Sequence, residues 1–166
     1  DEGSNTIVVD GGKWFDPAAE NDLNQSDTWN DYLQPSNGII QLGQEYAFDG
    51  NVETYANAAD GTTMIFAPVT PIPITTSCEF ITLFSSVSAG YTITLTCDGA
   101  SQTVGQGAMF EFMSFPNLVG KTISSSTPLT TEWKRSNGTT ANGVFSTLKV
   151  DGKIIADPTY VADKLV

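Results

Sequence analysis

The sequence predicts an all-β fold, a β-sandwich or jelly roll. Three observations carry that expectation. Residues 91–97 alternate strictly, with Tyr91, Ile93, Leu95 and Cys97 on one side and Thr92, Thr94 and Thr96 on the other. That is the pattern of a half-buried antiparallel strand. Apolar runs recur at roughly 8–12-residue spacing between Gly, Pro, Asn and Asp clusters, the rhythm of short strands and tight turns. The composition agrees: 166 residues hold 15 glycines and 8 prolines but are still 40% hydrophobic, enough for one ordinary domain with a core.

Taken in order, the chain divides into an N-terminal arm and linker (1–28), a sandwich module (29–156) and a C-terminal tail (157–166). The arm clusters Ile7, Val8, Val9, Trp14 and Phe15, and residues 16–28 are acidic and amide-rich, as in a tether. Trp29 and Tyr32-Leu33 return to apolar surface. Pro35-Ser36-Asn37-Gly38 is a turn, Ile39-Ile40 a short contact, and 57–63 a polar loop bending at Asp60-Gly61. Residues 64–66 form a strand, and Pro68, Pro71 and Pro73 keep the next segment off a central ladder position. Strands are expected over 76–84, 91–97, parts of 101–115, 119–124, 129–135 and 143–150. Asp98-Gly99 and Asp151-Gly152 are hairpin signals, and Trp133 lies on the opposite face from Glu132 and Lys134. In the tail, Asp157 followed by Pro158 reads as the cap and first residue of a short helix ending near Leu165.

Charge and missing residue types narrow the function. The formal charge is −12, from 19 acidic and 7 basic residues. A basic nucleic-acid patch is not expected, and anionic membranes repel such a surface. The charge serves solubility or, more sharply, cation binding in acidic loops. The chain has no His, which removes Ser-His-Asp triads, Cys-His pairs and the usual zinc sites. The 19 acids form no recognisable paired-carboxylate motif, so no enzyme is expected. No apolar run reaches membrane-spanning length. The N-terminus does not read as a signal peptide and lacks an initiator Met, so the chain is expected to be processed or cut from something longer. Cys78 and Cys97 fall on neighbouring strand candidates, and a hairpin near Val87-Ser88 sets them opposite each other. A cross-strand disulfide and two buried thiols both fit.

The chain also matches itself. Residues 6–22 align with 147–163 at a constant offset of 141, without a gap. Thr6, Val9, Asp10, Gly11, Asp16, Pro17 and Asp22 recur as Thr147, Val150, Asp151, Gly152, Asp157, Pro158 and Asp163. The reading is one period of a tandem array, with the tail of one module at each end. The two Asp-Gly turns are then expected to share one geometry.

The centre of the chain is Ala47-Phe48-Asp49-Gly50-Asn51-Val52-Glu53-Thr54-Tyr55-Ala56. Asp49-Gly50-Asn51 is turn chemistry. Asp49, the Asn51 carbonyl and Thr54 can converge on one point, an all-oxygen set suited to calcium. The run Ala-Phe-Asp-Gly-Asn-x-x-Thr-Tyr resembles the signature turn of discoidin-like (coagulation-factor type C) β-sandwich modules. Many of these bind sugars or lipid head groups and hold a structural calcium at this turn. A resemblance covering most of the chain rests on Trp29-Asn30-Asp31-Tyr32-Leu33 before the turn. Phe66-Ala67-Pro68-Val69-Thr70-Pro71-Ile72 follows it, and Leu148-Lys149-Val150-Asp151-Gly152-Lys153-Ile154-Ile155 closes it. That order is similar to modules of virion structural proteins from marine tailed phages, cyanophages especially.

The resemblance implies a structural role in a virion appendage, fibre or decoration protein on the particle surface. Other copies of the chain or other virion proteins are its implied partners. Folding in a reducing cytosol then favours free thiols. The implied calcium set is the Asp49 and Thr54 side chains with main-chain oxygens of Tyr46 and Asn51. The family's completing Glu aligns with Thr147, which brings no charge. The alternative function is a carbohydrate-binding module for host glycan, with Trp29, Tyr55 and Trp133 as stacking platforms and Trp14 and Tyr91 as further candidates. A bacterial surface adhesin of similar repeats is a third reading.

Overall fold

The computed structural model describes residues 29–81, 90–105 and 110–157, with the backbones of Ile7–Val9 and Lys13–Phe15. It is all-β and antiparallel. The expected C-terminal helix, apart from its first residue, lies outside the described residues.

The strands are β1 (Ile7–Val9), β2 (Lys13–Phe15), β3 (Leu33–Pro35), β4 (Ile40–Leu42), β5 (Ala56–Asp60), β6 (Met64–Phe66), β7 (Ile72–Pro73) and β8 (Cys78–Ile81). Then follow β9 (Tyr91–Cys97), β10 (Ala100–Gly105), β11 (Phe112–Ser114), β12 (Thr122–Ile123), β13 (Leu129–Arg135), β14 (Asn142–Phe145), β15 (Leu148–Val150) and β16 (Lys153–Ile154). A five-stranded sheet runs β10-β9-β13-β6-β3 and a four-stranded sheet β11-β8-β15-β16. A three-stranded sheet, β14-β5-β4, and the pairs β12-β7 and β1-β2 complete the set.

The alternation read along 91–97 is realised in β9. Ile93, Leu95 and Cys97 are buried, and the threonines between them form the outer face. There Thr94 Oγ1 lies 2.7 Å from Thr103 Oγ1 of β10. The core joins the sheets through aromatic rings. Phe66 of β6 stacks at 5.7 Å on Phe145 of β14, which meets Phe80 of β8 at 5.1 Å, edge to face. Phe48, from the central turn, closes the group at 5.1 Å from Phe66 and 5.8 Å from Phe145.

Both Asp-Gly hairpins form. Asp98 and Gly99 (φ 46° and 75°), like Asp151 and Gly152 (52° and 80°), take the left-handed conformations of a two-residue primed turn. The N-terminal copy differs. Val9 pairs with Lys13 across three intervening residues, whereas Val150 pairs with Lys153 across two. The two hairpins therefore differ in register by one residue, and the geometry of the Asp10-Gly11 turn itself lies outside the described residues.

Four local expectations are corrected. Residues 57–63 are no polar loop. Most of the stretch lies in β5, whose inward residues Ala56 and Ala58 are too small to register as an apolar pattern but are fully buried. Residues 143–150 are not one strand but β14 and β15 in different sheets. The chain crosses at Ser146-Thr147, where the Ser146 hydroxyl donates to the Ile81 carbonyl at 3.0 Å. Residues 119–124 hold only β12, after a 3-10 turn at Pro116–Leu118. β8 and β9 do not form a hairpin but lie in separate sheets, so Cys78 and Cys97 are not cross-strand partners. Both are buried free thiols. Burial pushes Cys78 up to about 12 and Cys97 up to about 11, which keeps them protonated and unreactive at neutral pH.

Candidate functional site

The central turn is pegged to the core before its polar groups are arranged. A 3-10 turn, Gln44–Ala47, leads in. Ala47, Phe48, Val52 and Ala56 are all buried, so Asp49, Asn51, Thr54 and Tyr55 are held half-buried between fixed points, with Glu53 exposed. Gly50 takes φ 75°, the left-handed conformation expected for it. Asp49 Oδ1 accepts the Asn51 N–H at 2.8 Å, and Asn51 Oδ1 accepts the Glu53 N–H at 2.9 Å, two successive Asx turns.

This scaffold gathers the oxygens chosen from the sequence. Around Thr54 Oγ1 lie Asp49 Oδ2 at 2.7 Å, Asp49 Oδ1 at 2.8 Å, the Asn51 carbonyl at 3.0 Å and the Tyr46 carbonyl at 3.2 Å. A threonine hydroxyl has one proton and satisfies one of these four acceptors at a time. The others meet it lone pair to lone pair, an arrangement a cation relieves. Thr147 enters from the sheet crossing, its hydroxyl donating to the Asn51 carbonyl at 3.3 Å. The donor set is one carboxylate, two carbonyls and two hydroxyls. All are hard oxygens, so the residues fit calcium or a cation of similar preference. With a single carboxylate the set suits the weak end of the calcium range. Among the described residues, no group of three or more His, Cys, Asp or Glu side chains gathers, at this turn or elsewhere.

The aromatic candidates fare differently. Trp29 is 1% exposed and Trp133 is 2% exposed. Trp29 packs edge to face on Phe66. Trp133 donates its indole N–H to the Val144 carbonyl at 3.2 Å, beside the Thr131 hydroxyl at 2.9 Å on the same oxygen. Both are core residues, not sugar platforms. The reason is volume: two sheets this short need large rings to fill the space between them. Tyr55 and Tyr91 are half-buried and packed against the core. The side chain of Trp14 lies outside those described.

The Asp157 carboxyl, expected to cap a tail helix that lies outside the described residues, has distant partners as well. Asp157 has no exposure, and its carboxylate accepts the main-chain N–H groups of Trp29 and Asn30, capping the 3-10 turn Trp29–Tyr32 from 128 residues away. Its own N–H donates to the Phe48 carbonyl at 2.8 Å. Burial pushes its pKa up to about 6; the two N–H bonds oppose the shift and the nearby Asp31 charge adds to it. Among the described residues, Asp157 Oδ2 has no hydrogen-bond partner. Nothing in the sequence around Asp157 signals a partner at residue 29, because the pairing is wholly tertiary.

Asp151 is the converse. Its carboxylate accepts the N–H groups of Thr75, Thr76 and Ser77 and the hydroxyls of Thr75 and Thr76. Partial burial alone would raise it, but these bonds outweigh burial and hold it at about 2. The hairpin signal thus also clasps the loop that enters β8. Comparison of the chain with protein-family models, with curated proteins and with solved structures returns no match.

Proposed function

We propose that this chain is a non-enzymatic structural module of a bacteriophage virion, part of a tail fibre, capsid fibre or other surface appendage, with calcium binding at its central turn. The observation that carries the reading is the crowding of four acceptor oxygens on the single Thr54 hydroxyl. In the resembling modules this turn is where a structural cation sits. When bound, the ion would supply electrostatic cross-linking between Asp49, the Tyr46 and Asn51 carbonyls and Thr54. The chain's own residues fix the turn through Phe48 and hold Thr147 beside it. The order of motifs along the chain and the 141-residue self-match support an array-building role. The glycan-binding alternative is weaker, since Trp29 and Trp133 fill the core and only Tyr55 of its three platforms reaches the surface.

The calcium part is tested by melting the protein in chelator and in millimolar calcium. A bound ion stabilises by mass action, about 1.4 kcal/mol at ten times its dissociation constant. Identical melting curves retire the site. The virion part is tested by antibody labelling of purified particles. Label on a surface appendage supports it, and particles free of the chain overturn it. Binding on a glycan array would favour the alternative.

A further inference from the structure

The chain holds three Asn-Gly steps, at 37–38, 137–138 and 142–143. Two of them sit in the same turn. Pro35-Ser36-Asn37-Gly38 and Arg135-Ser136-Asn137-Gly138 share Ser-Asn-Gly, and in both these three residues are exposed. Each turn is closed by its glycine N–H, to the Pro35 carbonyl at 3.0 Å and to the Arg135 carbonyl at 2.8 Å. Each glycine takes a left-handed φ, 76° at Gly38 and 84° at Gly138. Each asparagine Oδ1 accepts the N–H two residues on, from Ile39 at 3.1 Å and from Thr139 at 3.0 Å. The turns differ in one contact. The Thr139 hydroxyl also donates to Asn137 Oδ1, at 2.7 Å. Ile39, its counterpart, has no hydroxyl to give.

An Asn-Gly step can modify itself. The glycine main-chain nitrogen, after losing its proton to solvent hydroxide, attacks the asparagine side-chain carbon Cγ. Glycine allows the approach because no Cβ shields its nitrogen. As the new N–C bond forms, the carbonyl electron pair moves onto Oδ1. The oxyanion then collapses, the bond from Cγ to the side-chain nitrogen breaks, and that nitrogen takes a proton from water and leaves as ammonia. Water opens the resulting succinimide at one carbonyl or the other, leaving Asp or iso-Asp. The sum is one asparagine and one water to one carboxylic acid and one ammonia. Charge develops on Oδ1 on the way, and donors already aimed at that oxygen lower the barrier. Asn137 Oδ1 has two such donors, one for each lone pair. The bond that holds the glycine proton occurs in both turns, so it does not separate them. Gly143 of the third step is buried at the β14 bulge against Thr62, out of reach of solvent base.

We propose that Asn137 is a self-modification site, converted to Asp and iso-Asp by attack of the Gly138 nitrogen, with the Thr139 hydroxyl as the donor that makes it faster than its twin at Asn37. The acid that forms adds a negative charge at the tip of β13. In the iso-Asp product the main chain runs through the former side chain and is one carbon longer. That carbon enters a turn closed by the Arg135 N–H on the Thr139 carbonyl at 2.9 Å, next to the Lys134–Thr140 bridge, and loosens it. The conversion needs only water and hydroxide, and holds whatever particle the module serves.

The test incubates the full-length chain at pH 8 in oxygen-18 water and follows each Asn-Gly peptide by mass spectrometry. The heavy oxygen enters only at residues that convert during the incubation. Asn137 is expected to convert about three- to tenfold faster than Asn37, the factor that one exposed hydrogen bond supplies, and Asn142 slowest of the three. Thr139→Ile gives the second turn the sequence of the first, and should bring the Asn137 rate down to that of Asn37. Thr139→Ser keeps a hydroxyl and should keep the rate. Ile39→Thr is the reverse graft and should raise the rate at Asn37. Far-UV circular dichroism checks that each variant is folded; the substitutions all fall on exposed turn residues. Asn37 converting as fast as Asn137, no conversion at Asn137, or an unchanged Asn137 rate in Thr139→Ile overturns the proposal.

Discussion

Three carboxylates take different roles because each meets different neighbours. Asp49 faces one turn N–H, the Thr54 hydroxyl and the carbonyls crowded on it; Asp151 faces three N–H groups and two hydroxyls; Asp157 is buried with two N–H donors and, among the described residues, no partner for Oδ2. Thr54→Val keeps the side-chain volume and removes the crowded hydroxyl. It should abolish any calcium-dependent rise in Tm while shifting Tm in chelator by the equivalent of about 1 kcal/mol or less. Asp49→Ala should also abolish the calcium effect. The buried carboxyl of Asp157 titrates in the opposite sense to an ordinary paired acid. Its pKa in the folded chain is about 6, against 3.8 ordinarily, so the fold favours the protonated form. Its contribution is fullest below about pH 4 and is lost as the pH rises through 6. Asp157→Asn should therefore raise Tm at pH 7.5, by the equivalent of about 1 kcal/mol, with little change at pH 4. A variant that melts lower at both pH values would show that the charge itself anchors the turn at Trp29.

At the scale of elements, close approaches and clasps decide. β14 bulges between Asn142 and Gly143 as it passes β5. A Cβ on Gly143 would lie 2.5 Å from the Thr62 carbonyl oxygen, a backbone atom with no rotamer to yield. Gly143→Ala should cost about 1–3 kcal/mol in chemical denaturation, as overpacking does. The β15–β16 hairpin depends on Asp151 twice, for its turn and for the 75–77 loop. Because Asp151 is held at about 2, below 3.8, its contribution is full above about pH 4 and is lost as pH falls towards 2. Asp151→Asn should flatten the acid limb of the stability profile between pH 4 and 2. An unchanged limb would mean that the loop is held by other contacts. Trp133→Ala removes a filled core position and one donor to the Val144 carbonyl, and should cost about 3–5 kcal/mol.

For the whole molecule, much of the fold was readable wherever one strand carried its own evidence. The alternation in β9, the Asp-Gly turns after β9 and β15, and the proline-marked edge at β7 are local patterns, each set by the steric and burial preferences of adjacent residues. The oxygen set at the central turn was readable for the same reason: Tyr46, Asp49, Asn51 and Thr54 lie within nine residues, and a Gly at positive φ folds them onto one another. What the sequence could not decide was which strands share a sheet. Alternation says which face is buried but not against what, so β8 and β9 read as a hairpin although they belong to different layers, and 143–150 read as one strand although it crosses between sheets at Ser146-Thr147. The same limit misassigned Trp29 and Trp133, because a ring's use depends on the volume the other sheet leaves it. It also hid the cap that Asp157 places on Trp29. Short-range sterics are written in neighbouring residues; long-range pairing and burial exist only once the layers have closed on each other.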